Sequence, residues 1–130
     1  MYQQRIGARA EYLQEEKERI KASTSLADKF STLKSLSAIL TYFAPNGATQ
    51  HSEIKCTFNL AYAKSLFVFD CPNKECIGGN FDLSSELAQA VIERRESADG
   101  EIRCQGWQSK TTVGRVYCDH LLRYKLSLGY

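Results

Sequence analysis

Five cysteines, Cys56, Cys71, Cys76, Cys104 and Cys118, are the residues of this chain best suited to chemistry. Thiolates bind soft metals and take part in redox exchange. An odd number of them, without an apolar leader at the N-terminus, points away from a disulfide framework and toward metal or thiolate chemistry in the cytoplasm. The densest motif is Cys71-Pro72-Asn73-Lys74-Glu75-Cys76-Ile77-Gly78-Gly79. A short loop closed by two thiolates and followed by glycines, which tolerate positive φ, can wrap an ion and aim backbone N–H groups at the sulfurs.

The second half of the set is geometric. If residues 101–108 and 114–120 form a hairpin turning about Thr111, Cys104 faces Cys118 across it. Same-face residues opposed on antiparallel strands have Cβ atoms about 4.5–5.5 Å apart, close enough for two sulfurs to share one tetrahedral ion. Cys71, Cys76, Cys104 and Cys118 are thus expected to bind one structural Zn2+ that ties the knuckle to the hairpin. His120, on the same strand face as Cys118 and opposite Ile102 in that register, is the alternative ligand in place of one cysteine. The competing expectation is four ordinary buried thiols. Cys56, flanked on its strand face by Ile54 and Phe58, is expected in the core.

Catalytic patterns are missing. His51-Ser52-Glu53 echoes the His-x-Glu of zinc deaminases, but the Pro-Cys-x-x-Cys that must accompany it is absent. There is no nucleophile elbow, Walker loop or dinucleotide glycine motif. An all-thiolate shell also lacks the open position that a catalytic zinc keeps for water. The chain is therefore expected not to be an enzyme.

The elements that must position these cysteines follow from the pattern. The chain has 130 residues, 43% apolar and 25% charged, which suits one ordinary folded domain. Residues 5–43 carry no proline and one glycine and are rich in helix formers. Leu26, Phe30, Leu33, Ser37 and Leu40 follow a helical period in the second half. Ser25 with Asp28 resembles an N-cap that would divide the stretch, so either one bent helix or two in succession is expected before Pro45-Asn46-Gly47. Beyond the turn the period becomes two, predicting strands over 53–60 and 65–71 joined as a hairpin. A helix over 83–96, stopped by Ser97-Ala98-Asp99-Gly100, and strands over 101–108 and 114–128 complete the chain.

The expected fold is therefore α+β: a long N-terminal helix or two, and an antiparallel sheet of about four strands with one further helix inserted after the zinc knuckle. Residues 1–45 form a helical arm suited to self-association, and residues 46–130 a zinc-braced body, the two making one folded unit.

Net charge is +2, with seven basic against five acidic residues before Asn46 and ten against ten from it onward. That balance provides no broad attraction to phosphate or anionic lipid, and no apolar run spans a membrane. Strand parity nevertheless places Lys55, Phe67, Phe69, Arg103, Gln105, Trp107, Arg115, Tyr117, Arg123 and Lys125 opposite the apolar face. Arg103, Trp107, Arg115 and Tyr117 are the candidate binding face, since aromatics among cations can stack bases and contact phosphates. The sequence favours a small noncatalytic zinc-stabilised interaction or assembly module with a protein partner, itself or another. The alternatives are a zinc domain binding single-stranded nucleic acid or nucleotides, and a zinc–thiolate redox switch, which would need accessible thiolates.

Overall fold

The computed structural model describes residues 2–73, 76–108 and 116–130. Helix α1 (Tyr2–Ala22) is followed by the short α2 (Leu26–Lys29), which starts where Ser25 accepts a hydrogen bond from the Asp28 backbone N–H at 3.2 Å. Strands β1 (Ser35–Phe43) and β2 (Gln50–Phe58) come next, then β3 (Val68–Asp70) and β4 (Asn80–Asp82). Helix α3 (Ser84–Ile92), β5 (Ser97–Arg103), β6 (Trp107–Gln108), β7 (Val116–Tyr117) and β8 (Leu121–Gly129) complete the α+β order. An antiparallel sheet runs β2-β1-β8-β5, and β3–β4 and β6–β7 form two small two-stranded ribbons. Among the described residues no helix is long and apolar enough to cross a membrane.

The helix expected through residue 43 stops at Lys29, and Ser35–Phe43 is instead the strand at the heart of the sheet, paired to β2 on one side and β8 on the other. Its apolar residues satisfy both periods. Leu36, Ala38, Leu40 and Tyr42 are buried and alternate with Ser35, Ser37, Ile39 and Thr41, which lie on the other face. Two antiparallel partners satisfy the backbone along its whole length, and this long-range pairing outweighs local helix propensity. Pro45-Asn46-Gly47 ends no helix but turns the β1–β2 hairpin: Gly47 sits at φ 73°, and the Asn46 side-chain oxygen accepts from the N–H groups of Ala48 and Thr49.

Two other pairings differ from expectation. The predicted hairpin between 53–60 and 65–71 does not form, because β1 occupies β2 and β3 pairs with β4. Helix α3 ends at Ile92, with Arg94 at φ 52° just beyond it, and Ser97-Ala98-Asp99-Gly100 opens strand β5 rather than stopping the helix.

The core lies on one face of the large sheet. Leu36, Ala38, Leu40 and Tyr42 of β1 and Leu122, Tyr124, Leu126 and Leu128 of β8 join Leu26, Leu33, Phe67, Phe81, Leu83, Leu87, Ala90 and Val91 in one cluster. The opposite sheet face is mainly polar, with Ile39 among its residues. Strand parity makes a direct test: Leu40 is 1% exposed and Ile39 is 36% exposed. Leu40→Ala should destabilise by about 2–5 kcal/mol, and Ile39→Ala by much less, in denaturant unfolding. Equal costs would contradict the strand.

Candidate metal centre

The sulfurs of Cys71, Cys76, Cys104 and Cys118 lie within 4.8 Å of one another, and all four residues are buried. Two contacts, Cys71 to Cys118 and Cys76 to Cys104, measure 3.5 Å. A tetrahedral ion with metal–sulfur bonds of about 2.3 Å requires sulfurs about 3.8 Å apart, so the cluster has the size and donor set for one ion. Four chain segments converge to make it. Cys71 and Cys76 flank the loop at the tip of the β3–β4 ribbon, where Asp70 pairs with Asn80. Cys104 follows β5 and Cys118 follows β7.

The long ribbon brings in its two cysteines in a register other than the expected one. Arg103 pairs with Leu121 and Trp107 with Tyr117. Between those pairs the Cys104 N–H donates to the His120 carbonyl at 2.8 Å, and the Cys118 N–H to the Gly106 carbonyl at 2.9 Å. Cys104 is thus opposite His120, and Cys118 opposite Gly106. The slip is two residues, which preserves the face each side chain takes, so the cysteines meet diagonally.

Gly106 explains why this register is needed. A Cβ there would stand 2.3 Å from Cys76 Sγ, and one at Gly79 would stand 2.3 Å from Cys104 Sγ and 2.5 Å from Cys76 Sγ. The two glycine backbones meet between the knuckle and the ribbon, and only hydrogen fits. Gly79 belongs to the motif legible in the sequence. Gly106 lies outside that motif, and its signal in the sequence is only a glycine two residues after a cysteine.

Polar groups surround the sulfurs. Gly106 N–H lies 3.4 Å from Cys104 Sγ and the Asn73 amide 3.5 Å from Cys118 Sγ. Both can donate to a thiolate. Hydrogen bonding with Cys104, then with Cys118 and Cys76, together with burial, pushes the Cys71 thiol up. Cys118 is pulled down by hydrogen bonds from Cys104, then from Cys71 and Cys76. His120 stands outside the gathered set, with Nδ1 3.3 Å from Cys118 Sγ and 3.2 Å from the Cys118 carbonyl, and its ring stacks on His51 at 5.1 Å.

Helix α1 lies against this centre. The Arg9 guanidinium donates to the carbonyls of Cys76 at 2.6 Å and Cys71 at 3.2 Å, clamping both ends of the knuckle. One and two turns on, Tyr12 and Glu16 accept hydrogen bonds from the Asn80 amide at 2.9 and 2.6 Å. Burial, then Glu16, then the Cys104 and Cys76 sulfurs push the Tyr12 phenol up to about 12. Arg9, Tyr12 and Glu16 share a helical face, a spacing visible in the sequence but without meaning until the knuckle's position is known.

The other sequence candidates are dispersed. Phe67 and Phe69 do not join the cationic face: Phe67 is 4% exposed and packs edge-on against Phe58 and Phe69. Arg103 is exposed, and its guanidinium donates to the Pro45 and Asp119 carbonyls at 3.2 and 3.0 Å, bracing the corner where Asp119 adopts φ 50°. Trp107 and Tyr117 are described by backbone alone, as partners in the β6–β7 ribbon. Arg115 lies outside the described residues. Cys56 is half-buried at the margin of the core.

Comparison with protein-family models, curated proteins and solved structures finds no match to this chain. The chemistry therefore rests on geometry alone. Gly106→Ala and Gly79→Ala should each lower metal content, measured by elemental analysis, and destabilise by at least about 1–3 kcal/mol through overpacking. Arg9→Ala should cost about 1–3 kcal/mol while leaving metal content intact. Full metal occupancy and wild-type stability in both glycine variants would contradict the close approach.

Proposed function

We propose that this chain is a small noncatalytic assembly module held in shape by one structural zinc bound at Cys71, Cys76, Cys104 and Cys118. The observation that carries this is the completeness of the donor set. Four sulfurs, on residues 0–2% exposed, fill a tetrahedral shell and leave no position for water or substrate. A tetrahedral all-sulfur site selects zinc or iron–sulfur chemistry, and the compactness of these sulfurs suits a single ion rather than a multi-iron cluster. Zinc in such a shell cross-links the chain and does no redox work.

The two alternative functions have less in their favour. A redox switch needs exposed thiolates, and these are buried. For nucleic acid, the cations Lys55, Arg103, Arg123 and Lys125 share the open sheet face with Glu53, Asp99 and Glu101. Arg123 is paired to Glu101 at 2.8 Å and lies over Phe43. Four cations against three carboxylates leave that face nearly balanced, with little net attraction for phosphates.

Assembly through α1 would use its outer side, because the side bearing Arg9, Tyr12 and Glu16 is engaged by the chain's own knuckle. That outer side carries Glu11, Glu15, Lys17 and Glu18, all exposed, which suits polar contacts rather than an apolar seam. Native mass spectrometry on protein purified without added metal should show one zinc per chain. A strong chelator should lower the melting midpoint by more than about 10 °C. Metal-free protein that melts identically with and without chelator would overturn the proposal.

A further inference from the structure

Strand β2 is an edge of the large sheet, nine residues long, and its first six residues are all exposed. Ile54, at its middle, is 46% exposed although it points to the core side with Leu40 as its cross-strand neighbour. Among the described residues no strand pairs with the outer side of β2, and a long edge with an exposed isoleucine is a template for another strand. Natural edges are usually guarded by charge, and here Glu53 and Lys55 flank Ile54 on the open face. These two guards have opposite sign, which leaves one arrangement unguarded.

We infer that β2 pairs antiparallel with β2 of a second copy about a twofold axis at Ile54, joining two four-stranded sheets into one of eight. Residues opposed across an antiparallel pair project to the same sheet face. With the axis at Ile54, Ile54 meets Ile54 of the second copy on the core side. On the open face Glu53 meets Lys55 of the second copy, and Lys55 meets its Glu53. An axis one residue earlier opposes two glutamates, and one residue later two lysines, so charge selects the register.

The pairing also extends rows already present. Asp99, Lys125, Ile39 and Lys55 are successive cross-strand neighbours in one chain, as are Glu53, Thr41, Arg123 and Glu101. The twofold joins the end of the first row to the start of the second. An edge-to-edge contact buries less than a standard interface, so the dimer forms at high protein concentration and reverses on dilution. The same patch on both subunits closes the assembly at two, whereas β2 pairing with the β5 edge of another copy would propagate into a filament.

The inference rests on the chain being an assembly module but not on its zinc, and the test keeps the two apart. Sedimentation velocity over a concentration series, with zinc counted by native mass spectrometry in the same samples, should show a reversible monomer–dimer equilibrium and nothing larger. Glu53→Lys and Lys55→Glu should each weaken the dimer tenfold or more, because each opposes like charges twice. The double exchange Glu53→Lys with Lys55→Glu should restore it, with circular dichroism and zinc content unchanged throughout. Mild oxidation of Ile54→Cys should yield a disulfide-linked dimer. A strict monomer that retains zinc, species larger than a dimer, or a double exchange that fails to restore association would overturn the pairing while leaving the zinc assignment standing. Dimer without zinc would do the reverse.

Discussion

Four sulfurs held within 4.8 Å of one another in a buried site are the constraint on which the rest of this structure depends. Four thiolates that close would repel strongly in a poorly solvated interior, and a divalent cation at their centre would turn that repulsion into attraction. The elements they join need such a tie. The β3–β4 ribbon contributes three residue pairs and the β6–β7 ribbon two, and two-stranded ribbons of that length are not stable alone. Cys71 and Cys76 lend the first ribbon to the second, and Cys104 and Cys118 bind both to the sheet through β5 and β8.

Much of the surrounding chain is arranged to let this convergence happen. Gly79 and Gly106 remove the side chains that would keep the two ribbons apart, and Arg9 reaches from α1 to hold the carbonyls at both cysteines of the knuckle. Tyr12 and Glu16 then fix the helix to Asn80, at the foot of the same loop. An ion held by four thiolates would leave a net negative charge, toward which the Gly106 N–H and the Asn73 amide can donate. The hydrophobic core draws most on β1, β8 and α3, and the four cysteines are buried in the same continuous cluster, so the sulfur site is one end of the core.

The cysteine set was legible in the sequence because strand parity is robust. The expected hairpin was wrong by two residues, yet a slip of two leaves every side chain on its face, so Cys104 and Cys118 still meet. Strand β1 was not legible for the opposite reason. Leu36, Ile39, Leu40 and Phe43 fit a helical stripe, while Leu36, Ala38, Leu40 and Tyr42 fit a strand, and nothing local decides between periods. The serines and threonines at 31, 32, 35, 37 and 41 were the available hint, since they weaken a helix. What decided it was pairing with β2 and β8, which no local pattern contains. Parity across one shared sheet misplaces Phe67 and Phe69, because β3 pairs with β4 and not with the large sheet. The roles of Arg9 and Gly106 exist only once distant segments have met.

Sulfur-ligand counting at the metal bears most directly on the central claim. X-ray absorption at the zinc edge of the purified, folded protein should fit four sulfur neighbours at about 2.3 Å and no nitrogen or oxygen. A shell that requires an imidazole nitrogen, or fewer than four sulfurs, would contradict the account.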